Sequence, residues 1–478
     1  MAEIDVAVIG SGAAGLAAAL TAAEGGARVA VFEKERSPGG TSNFLQGTFA
    51  VESDLQRERY IMYTRDEAFK ALMEYSHWIA NPRLVRAVVN ESAATIAWLQ
   101  RQGVVFTDAT INMPDSPRTY HVIKGRGEAL VKALVTRAKE SGVAIRLASP
   151  VKRIVKQGER IAGIVAEADG EEVQVGAKAV IIASGGYGNN KDWIKKYTGF
   201  DLGVNLMSVG NVDKTGDGIR MAWEAGAAEE GKSLLELYRV GPTGPEYPMG
   251  NQLEFAATQP DLWVDPRGER FCDESICFYD SSVGNANARF REGYTWSIFD
   301  DGVIKRMREK GIDKNVGIDF MPGSKPTGIE RELKAALERK STEVFSSDSL
   351  EGLAEKISVS PAVLQSTVAE YNDCCEKKYD KHFTKDPRYL WPINRPPYYA
   401  VRARTVFLGT MGGIKINEKA EVVSKNETVI PGLYAAGFDA GGMYGDSYPI
   451  KCSSGLASAF ALNSGRIAGK NVLKFLGK

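Results

Sequence analysis

The sequence predicts an α/β protein, a Rossmann-like nucleotide-binding domain interrupted by an inserted α+β domain. Three observations predict it. A β-branched, apolar run at Ile4–Ile9 meets a glycine-rich turn and an alanine-rich helical stretch at 13–23, with a second strand-like run at 27–33 directly behind. Gly10, Gly12 and Gly15 fill the GxGxxG pattern at that first strand-to-helix turn. From about residue 235 to 409 the periodicity breaks and aromatics mix with Pro and Gly, after which a strand-to-turn element returns at Gly432 to Gly437.

Each element has a local reason. The three glycines serve a tight turn, close backbone approach to a pyrophosphate, and close helix-to-strand packing. Glu33 ends the second strand 18 residues after Gly15, where a carboxylate can accept hydrogen bonds from adenosine ribose hydroxyls. Helical patterns follow at 65–78, 82–102 and 127–141, then strands at 144–147, 151–157, 160–168 and 172–175. The run 179–183 reads as a buried strand reaching the turn Ser184-Gly185-Gly186, and Thr215-Gly216-Asp217-Gly218 precedes a helix at 219–225. A glycine-rich turn at a helix start offers backbone N–H groups to an anion. A final helix is expected from about 454 to 476. These boundaries give one domain from 1–236 with 410–478, and an inserted one from 237–409.

Composition excludes several classes. The 478 residues carry 60 Lys plus Arg against 60 Asp plus Glu, a formal net charge of +0, which argues against a general nucleic-acid or anionic-membrane binder. No run approaches the roughly 18 apolar residues of a membrane span, and the start Met1-Ala2-Glu3-Ile4-Asp5 has neither a basic n-region nor a twin-arginine pair. A cytoplasmic address is expected. The five cysteines form no CxxC pair, which suits reduced structural thiols, and three histidines leave little material for a metal site.

The motifs together resemble a known family, the flavoprotein subunits of fumarate reductase and succinate dehydrogenase with the related 3-ketosteroid dehydrogenases. The matching segments are the Gly10 to Gly15 turn, Gly39-Gly40-Thr41-Ser42, Ala183 to Gly186, Thr215 to Gly218, Gly268-Glu269-Arg270-Phe271, Thr410-Met411-Gly412-Gly413 and Gly432 to Gly437, in family order over nearly the whole chain. The resemblance implies FAD held by the Rossmann-like domain, with the inserted domain capping the flavin ring. No histidine stands near Thr41 and Ser42, so the FAD is expected to be non-covalent. A single complete dinucleotide fingerprint leaves NAD(P)H without a site, which implies an external electron donor or acceptor. By the same resemblance Ala13 and Ala14 join the glycine turn at the cofactor, with Glu33 and Lys34 at its adenosine end. Gly40, Thr41, Ser42 and Gly47 follow from the second motif, and Val151, Ser184, Gly185 and Asp217 from the middle ones. Gly437 lies in the last motif; Phe438 stands where relatives carry a glutamate touching the flavin chain, which leaves Asp439 to take over that contact through a shifted turn. The helix start Ser454-Gly455-Leu456 is expected to aim N–H groups at the flavin's pyrimidine end, where negative charge develops on reduction.

Reducing a C=C bond with a flavin needs hydride at one carbon, a proton for the other, and polarisation of an attached carbonyl. In the fumarate reductases, histidines and arginines clamp two carboxylates. Here the segment before Thr410 reads Phe407-Leu408-Gly409, no histidine falls between Tyr238 and Thr243, and Cys277 and Phe278 follow Glu274 where an arginine belongs. Tyr448 takes the place of the clamp arginine. A buried dicarboxylate without cations is heavily penalised, so a neutral substrate is expected. Ser447-Tyr448-Pro449 is similar to the Tyr-Pro-Gly segment of the ketosteroid dehydrogenases, which implies Tyr448 as carbonyl polariser or proton donor and the N–H of Cys452 as second donor. Lys451 is a rival acid, and Tyr448 also reads as an ordinary packing aromatic. Tyr120 and His121 are candidates to face the substrate, with a structural histidine as the alternative; Tyr238, Arg239, Tyr247, Arg289 and Arg291 are candidate cap residues.

Three functions follow. The first is an FAD-dependent oxidoreductase acting on a CH–CH bond beside a ring oxygen function of a neutral polycyclic compound, a steroid enone or an isoflavonoid. For the latter the chain is also similar in size and layout to the tetrahydrodaidzein reductases. The second is a reductase of an unsaturated carboxylate with re-sited arginines such as Arg239, Arg289 or Arg404. The third is a flavin electron-transfer module without a substrate of its own.

Overall fold

The computed structural model describes residues 4–111, 113–168, 170–247, 250–316 and 320–478; the reading of the first three residues lies outside these. The chain forms two compact units, one of the chain through Gly199 with Ser208–Glu236 and Leu408–Lys478, the other of Phe200–Met207 with Leu237–Phe407.

The first unit is built on a mainly parallel sheet. Its strands run in the order Glu421–Val423, Val429–Ala435, Glu171–Ile182, Ile4–Ile9, Val29–Phe32, Ala144–Arg146. Val6 lies opposite Val29 on one side and Ala179 on the other, both in parallel register. Strands covered on both faces carry near-continuous apolar runs, and Val6, Ala7 and Val8 are fully buried. The helix Ala13–Glu24 follows the first strand, and the last helix, Leu456–Leu476, closes the chain.

Most sequence-derived elements are present with ends moved by a few residues. The helix expected at 65–78 runs over Arg65–Tyr75, begun by Thr64 and Glu67 in a reciprocal cap. The helix expected at 82–102 spans Pro82–Arg101 behind an Asn81 cap. One expectation fails: 172–175 and 179–183 are not two strands but one, Glu171–Ile182. Its first half pairs antiparallel with Arg160–Ala168 and its second half parallel with Ile4–Ile9. The chain changes partner without a turn, which local sequence does not signal.

The second unit carries an antiparallel sheet of Leu262–Val264, Tyr294–Asp300, Val344–Ser347 and most of Tyr398–Thr410. Successive residues of a strand face opposite sides: Ala400 joins a core with Trp296 and Ile298, and Val401 one with Phe255 and Phe299. Among the described residues no helix is long and apolar enough to cross a membrane.

Candidate cofactor and active site

The glycine turn is shaped by two demands of the protein itself and one that is not. Gly10 has φ +100, and a Cβ there would lie 2.3 Å from the Ala183 carbonyl oxygen; one at Gly15 would lie 2.0 Å from the Gly10 oxygen. Gly12 differs. Its φ is −70, open to any residue, and the nearest atom to a Cβ is Ser42 Oγ at 3.4 Å. No packing requires glycine at that helix start. Ala14, Ala183 and Ala436 meet beside the turn, so the ends of three motifs converge.

Hydrogen bonds hold this junction. Ser42 Oγ accepts from the Ala13 N–H at 2.8 Å, and the Thr41 hydroxyl donates to the Gly210 carbonyl at 2.6 Å. Glu33 Oε2 accepts from both the N–H and the hydroxyl of Ser11, at 2.9 and 2.6 Å, while Oε1 accepts from the Glu35 N–H at 2.9 Å. The carboxylate therefore braces the turn, with acceptor capacity left on Oε1. Lys34 Nζ is tied to Asp213 at 3.0 Å, Asp217 at 3.1 Å and Thr215 at 3.0 Å. Burial pulls the Lys34 ammonium down, but Asp213 and Asp217 outweigh it and raise it above its ordinary value. Asp217 opens the helix Asp217–Glu224. Partial burial works against its charge, yet the Thr215 hydroxyl and Lys34 hold it below the usual carboxylate range. Gly40 starts a short 3-10 turn, Val151 is buried at the head of its strand, and Gly47 lies against the Tyr120 ring.

The Asp439 carboxylate, expected at the cofactor, is instead occupied by protein donors. Its side chain is 0% exposed. Oδ2 accepts from the Ser184 N–H and, at 3.1 Å, from the Gly185 N–H; Oδ1 accepts from the Gly186 N–H at 2.9 Å and the Ser184 hydroxyl at 3.1 Å. Four donors fill the carboxylate from the protein side, so Asp439 shapes the 184–186 turn from beneath. Burial still outweighs those donors and raises its carboxyl. Gly437 donates its N–H to Ser464 Oγ at 2.9 Å. The Phe438 ring fills the space over Gly409, where a Cβ would lie 2.2 Å from it.

At the helix start 454–456 part of the N–H set is taken within the protein. The Leu456 N–H pairs with the Ser453 carbonyl at 3.0 Å, and the Ala457 N–H donates to the Tyr448 hydroxyl oxygen at 3.0 Å. Ser454 and Leu456 are buried, and Gly455 packs beneath the Tyr120 ring at a would-be Cβ distance of 2.9 Å. Tyr448 is 3% exposed. Burial, with the nearby Glu236 charge, pushes its phenol well above the ordinary value, so the proton stays on. Its ring centre is 5.8 Å from that of Tyr444. The Tyr444 hydroxyl is buried with no hydrogen-bond partner among the described residues.

Two neighbours of Tyr448 lose their assigned roles. The Cys452 N–H is taken by the Pro449 carbonyl at 3.2 Å, a loop turn that removes it as second donor, and burial raises its thiol to about 11. Lys451 is exposed to water, unlike Tyr448, and does not share its buried site. His121 is structural: Nδ1 lies 3.0 Å from the Thr119 carbonyl and Nε2 2.7 Å from Ser53 Oγ, and burial lowers it to about 4.

Within the second unit, Arg239 is an interior residue, not a pocket cation. It donates to Thr295 Oγ1, the Ala257 carbonyl and Ser297 Oγ at 2.9, 2.6 and 2.9 Å, over the Trp263 ring. Burial pulls its guanidinium down to about 9, outweighing the opposing charge of Glu274. Arg404 is held by both oxygens of Glu343, at 3.0 and 2.5 Å. Arg289 and Arg291 are exposed, Tyr238 is half-buried, and the Tyr247 hydroxyl pairs with Ser341. Tyr444, Glu236 and Lys214 escaped sequence reading; Tyr444 stands four residues before Tyr448, and Lys214 directly precedes the Thr215 turn.

Comparison with known proteins follows the same outline. A family described as FAD binding domain matches residues 5–456. A vinyl phenol reductase of Lactiplantibacillus plantarum is 35% identical over 480 residues, covering 98% of this chain and 96% of that protein. The open conformation of a flavocytochrome c3 fumarate reductase matches with a TM-score of 0.73 at 26% identity, over 99% of this chain and 79% of that one. The 3-ketosteroid delta1-dehydrogenase from Sterolibacterium denitrificans, in complex with 1,4-androstadiene-3,17-dione, shares the fold with a TM-score of 0.79 at 20% identity, over 99% of this chain and 100% of that one.

Proposed function

The chain belongs to the FAD binding domain family of the fumarate reductase flavoproteins and is an FAD-dependent oxidoreductase, and from that premise we propose that it acts on a carbon–carbon bond conjugated to the oxygen of a neutral ring compound. The residues fit FAD. Gly12 leaves a cradle at a helix start that a side chain would fill and no protein packing explains, and Glu33 keeps acceptor capacity for a ribose. Bound FAD supplies or accepts hydride at its ring.

Tyr448 carries the reading. Its oxygen is pinned by the Ala457 N–H, which leaves the hydroxyl proton as the group's donor toward the oxygen of a ring compound. Tyr444 brings a second phenol whose hydroxyl awaits a partner. A hydroxyl pair suits a neutral oxygen function and brings no positive charge to offset a buried carboxylate, whereas Arg239 and Arg404 are engaged inside the second unit. The vinyl phenol reductase relative supports a phenolic ring as one member of the class, with steroid enones and isoflavonoids such as tetrahydrodaidzein as others. In this reading the first unit is the FAD-binding domain, which trims the expected 1–236 by 200–207 and begins its last part at 408, the second unit is the capping domain, and electrons come from an external donor.

The test is anaerobic reoxidation of the chemically reduced protein, followed at the flavin absorbance band, with a vinyl phenol, a steroid enone, an isoflavonoid and fumarate offered separately. Recovery is expected with a ring compound and not with fumarate. Recovery with fumarate alone would reinstate a carboxylate substrate. No recovery with any of the four, under conditions where oxygen restores the flavin, would favour an electron-transfer module.

A further inference from the structure

Lys214 is a buried cation without an ion pair among the described residues. It is 5% exposed. Other buried lysines have their charge met: Lys385 lies 3.1 Å from Glu274, and Lys314 lies 3.2 Å from Asp280. Lys214 Nζ has no carboxylate at such a distance among the described residues; it stands 5.1 Å from the centre of the Phe438 ring. A ring face attracts a cation but does not replace a water shell. The two acids whose charge reaches Lys214 are Glu236 and Asp439. Asp439 is unable to turn toward it, because both its oxygens hold the 184–186 turn, and the buried Glu236 raises the Lys214 pKa through charge alone, without a hydrogen bond, and does not offset the burial. The outcome is an ammonium that burial pulls down to about 8.

Its position says what completes it. The Lys214 stem runs along Gly185, with Cε 3.3 Å from a would-be Cβ. That turn abuts the glycine turn of the first strand, since a Cβ at Gly10 would lie 3.1 Å from Ser184 Cα. The cation thus lies beside the two turns that converge at the cofactor cradle. We propose that Lys214 takes its counter-charge from bound FAD, as partner of an anionic oxygen of the pyrophosphate or of the reduced ring. This rests on the FAD cofactor and is independent of the substrate reading. Binding FAD then raises the Lys214 pKa, so above pH 8 binding takes up a proton and weakens as pH rises.

The test measures FAD dissociation from the holoprotein, by fluorescence of released flavin, for wild type, Lys214→Met and Lys214→Arg between pH 7 and pH 9.5, together with the flavin midpoint potential. Lys214→Met is expected to weaken FAD about tenfold or more at pH 7 and to flatten the pH dependence, with Lys214→Arg close to wild type at pH 7. Equal loss for oxidised and reduced FAD, with an unmoved potential, identifies the pyrophosphate as partner. Loss confined to reduced FAD, with a lowered potential, identifies the ring. Unchanged affinity and pH dependence in Lys214→Met would overturn the proposal. Should that variant not fold, wild-type affinity that stays constant from pH 7.5 to 9.5 overturns it equally. A wild-type protein that holds no FAD at all would instead unseat the cofactor assignment.

Discussion

At the scale of single residues, what matters at Tyr448 is which end of its hydroxyl is already engaged. The Ala457 N–H occupies an oxygen lone pair, so the O–H is left to point at a partner outside the helix start. Because burial holds the phenol protonated, Tyr448→Phe is expected to slow substrate-driven flavin reoxidation about a hundredfold, the usual effect of losing a positioned acid. FAD content should not change, and turnover at the wild-type rate would remove Tyr448 from the chemistry. His121 gives a stability test with a definite sign. Its folded-state pKa of about 4 lies below the ordinary 6.5, so the unfolded chain takes up the proton first as pH falls. The contribution is complete above pH 6.5 and is lost progressively toward pH 4, by about 2 kcal/mol between pH 7 and pH 5. Urea unfolding of His121→Gln should show a correspondingly shallower acid limb than wild type, and identical limbs would contradict the assignment. The structural alternative for His121 was legible in the sequence, and the structure bears it out. The roles given to Cys452 and Lys451 were not, since they depend on which way a loop N–H and a side chain turn.

At the scale of elements, the opening strand, turn and helix were readable because their glycines have separate mechanical causes, and those causes can be separated experimentally. A side chain at Gly15 meets the Gly10 carbonyl within the protein, whereas one at Gly12 meets nothing closer than 3.4 Å. Gly15→Ala is therefore expected to lower unfolding stability of the FAD-free protein by about 1–3 kcal/mol, the range for overpacking. Gly12→Val should leave that stability near wild type and abolish FAD retention, read as the flavin absorbance per protein after purification. Full flavin content in Gly12→Val would count against the cradle. The long strand Glu171–Ile182 and the carboxylate of Asp439 show where reading by element stops. The strand changes partner midway, and Asp439 meets its donors about 250 residues away in sequence, at separations of 253 to 255. No local periodicity carries either fact.

At the scale of the whole molecule, the motifs are scattered along the chain, yet the residues proposed for the cofactor cradle, from Gly10 to Gly437, belong to the first unit. That distribution has a thermodynamic consequence. A ligand that binds the folded state alone stabilises it by RT ln(1 + [L]/Kd), about 2.7 kcal/mol at a hundredfold excess over Kd. Openings that dismantle the cradle are opposed by that amount, and openings that leave it intact are not. Hydrogen exchange of the holoprotein, followed as free FAD is raised, is therefore expected to slow in segments around Ile4–Ile9, Ala13–Glu24 and Glu171–Ile182 in proportion to the logarithm of FAD concentration. Amides of Leu262–Val264 and Tyr294–Asp300 in the second unit should keep their rates wherever they exchange by opening that unit alone. An equal slowing in both sets would mean that every opening passes through loss of FAD, and the cofactor's contribution would then have to be assigned to the chain as a whole.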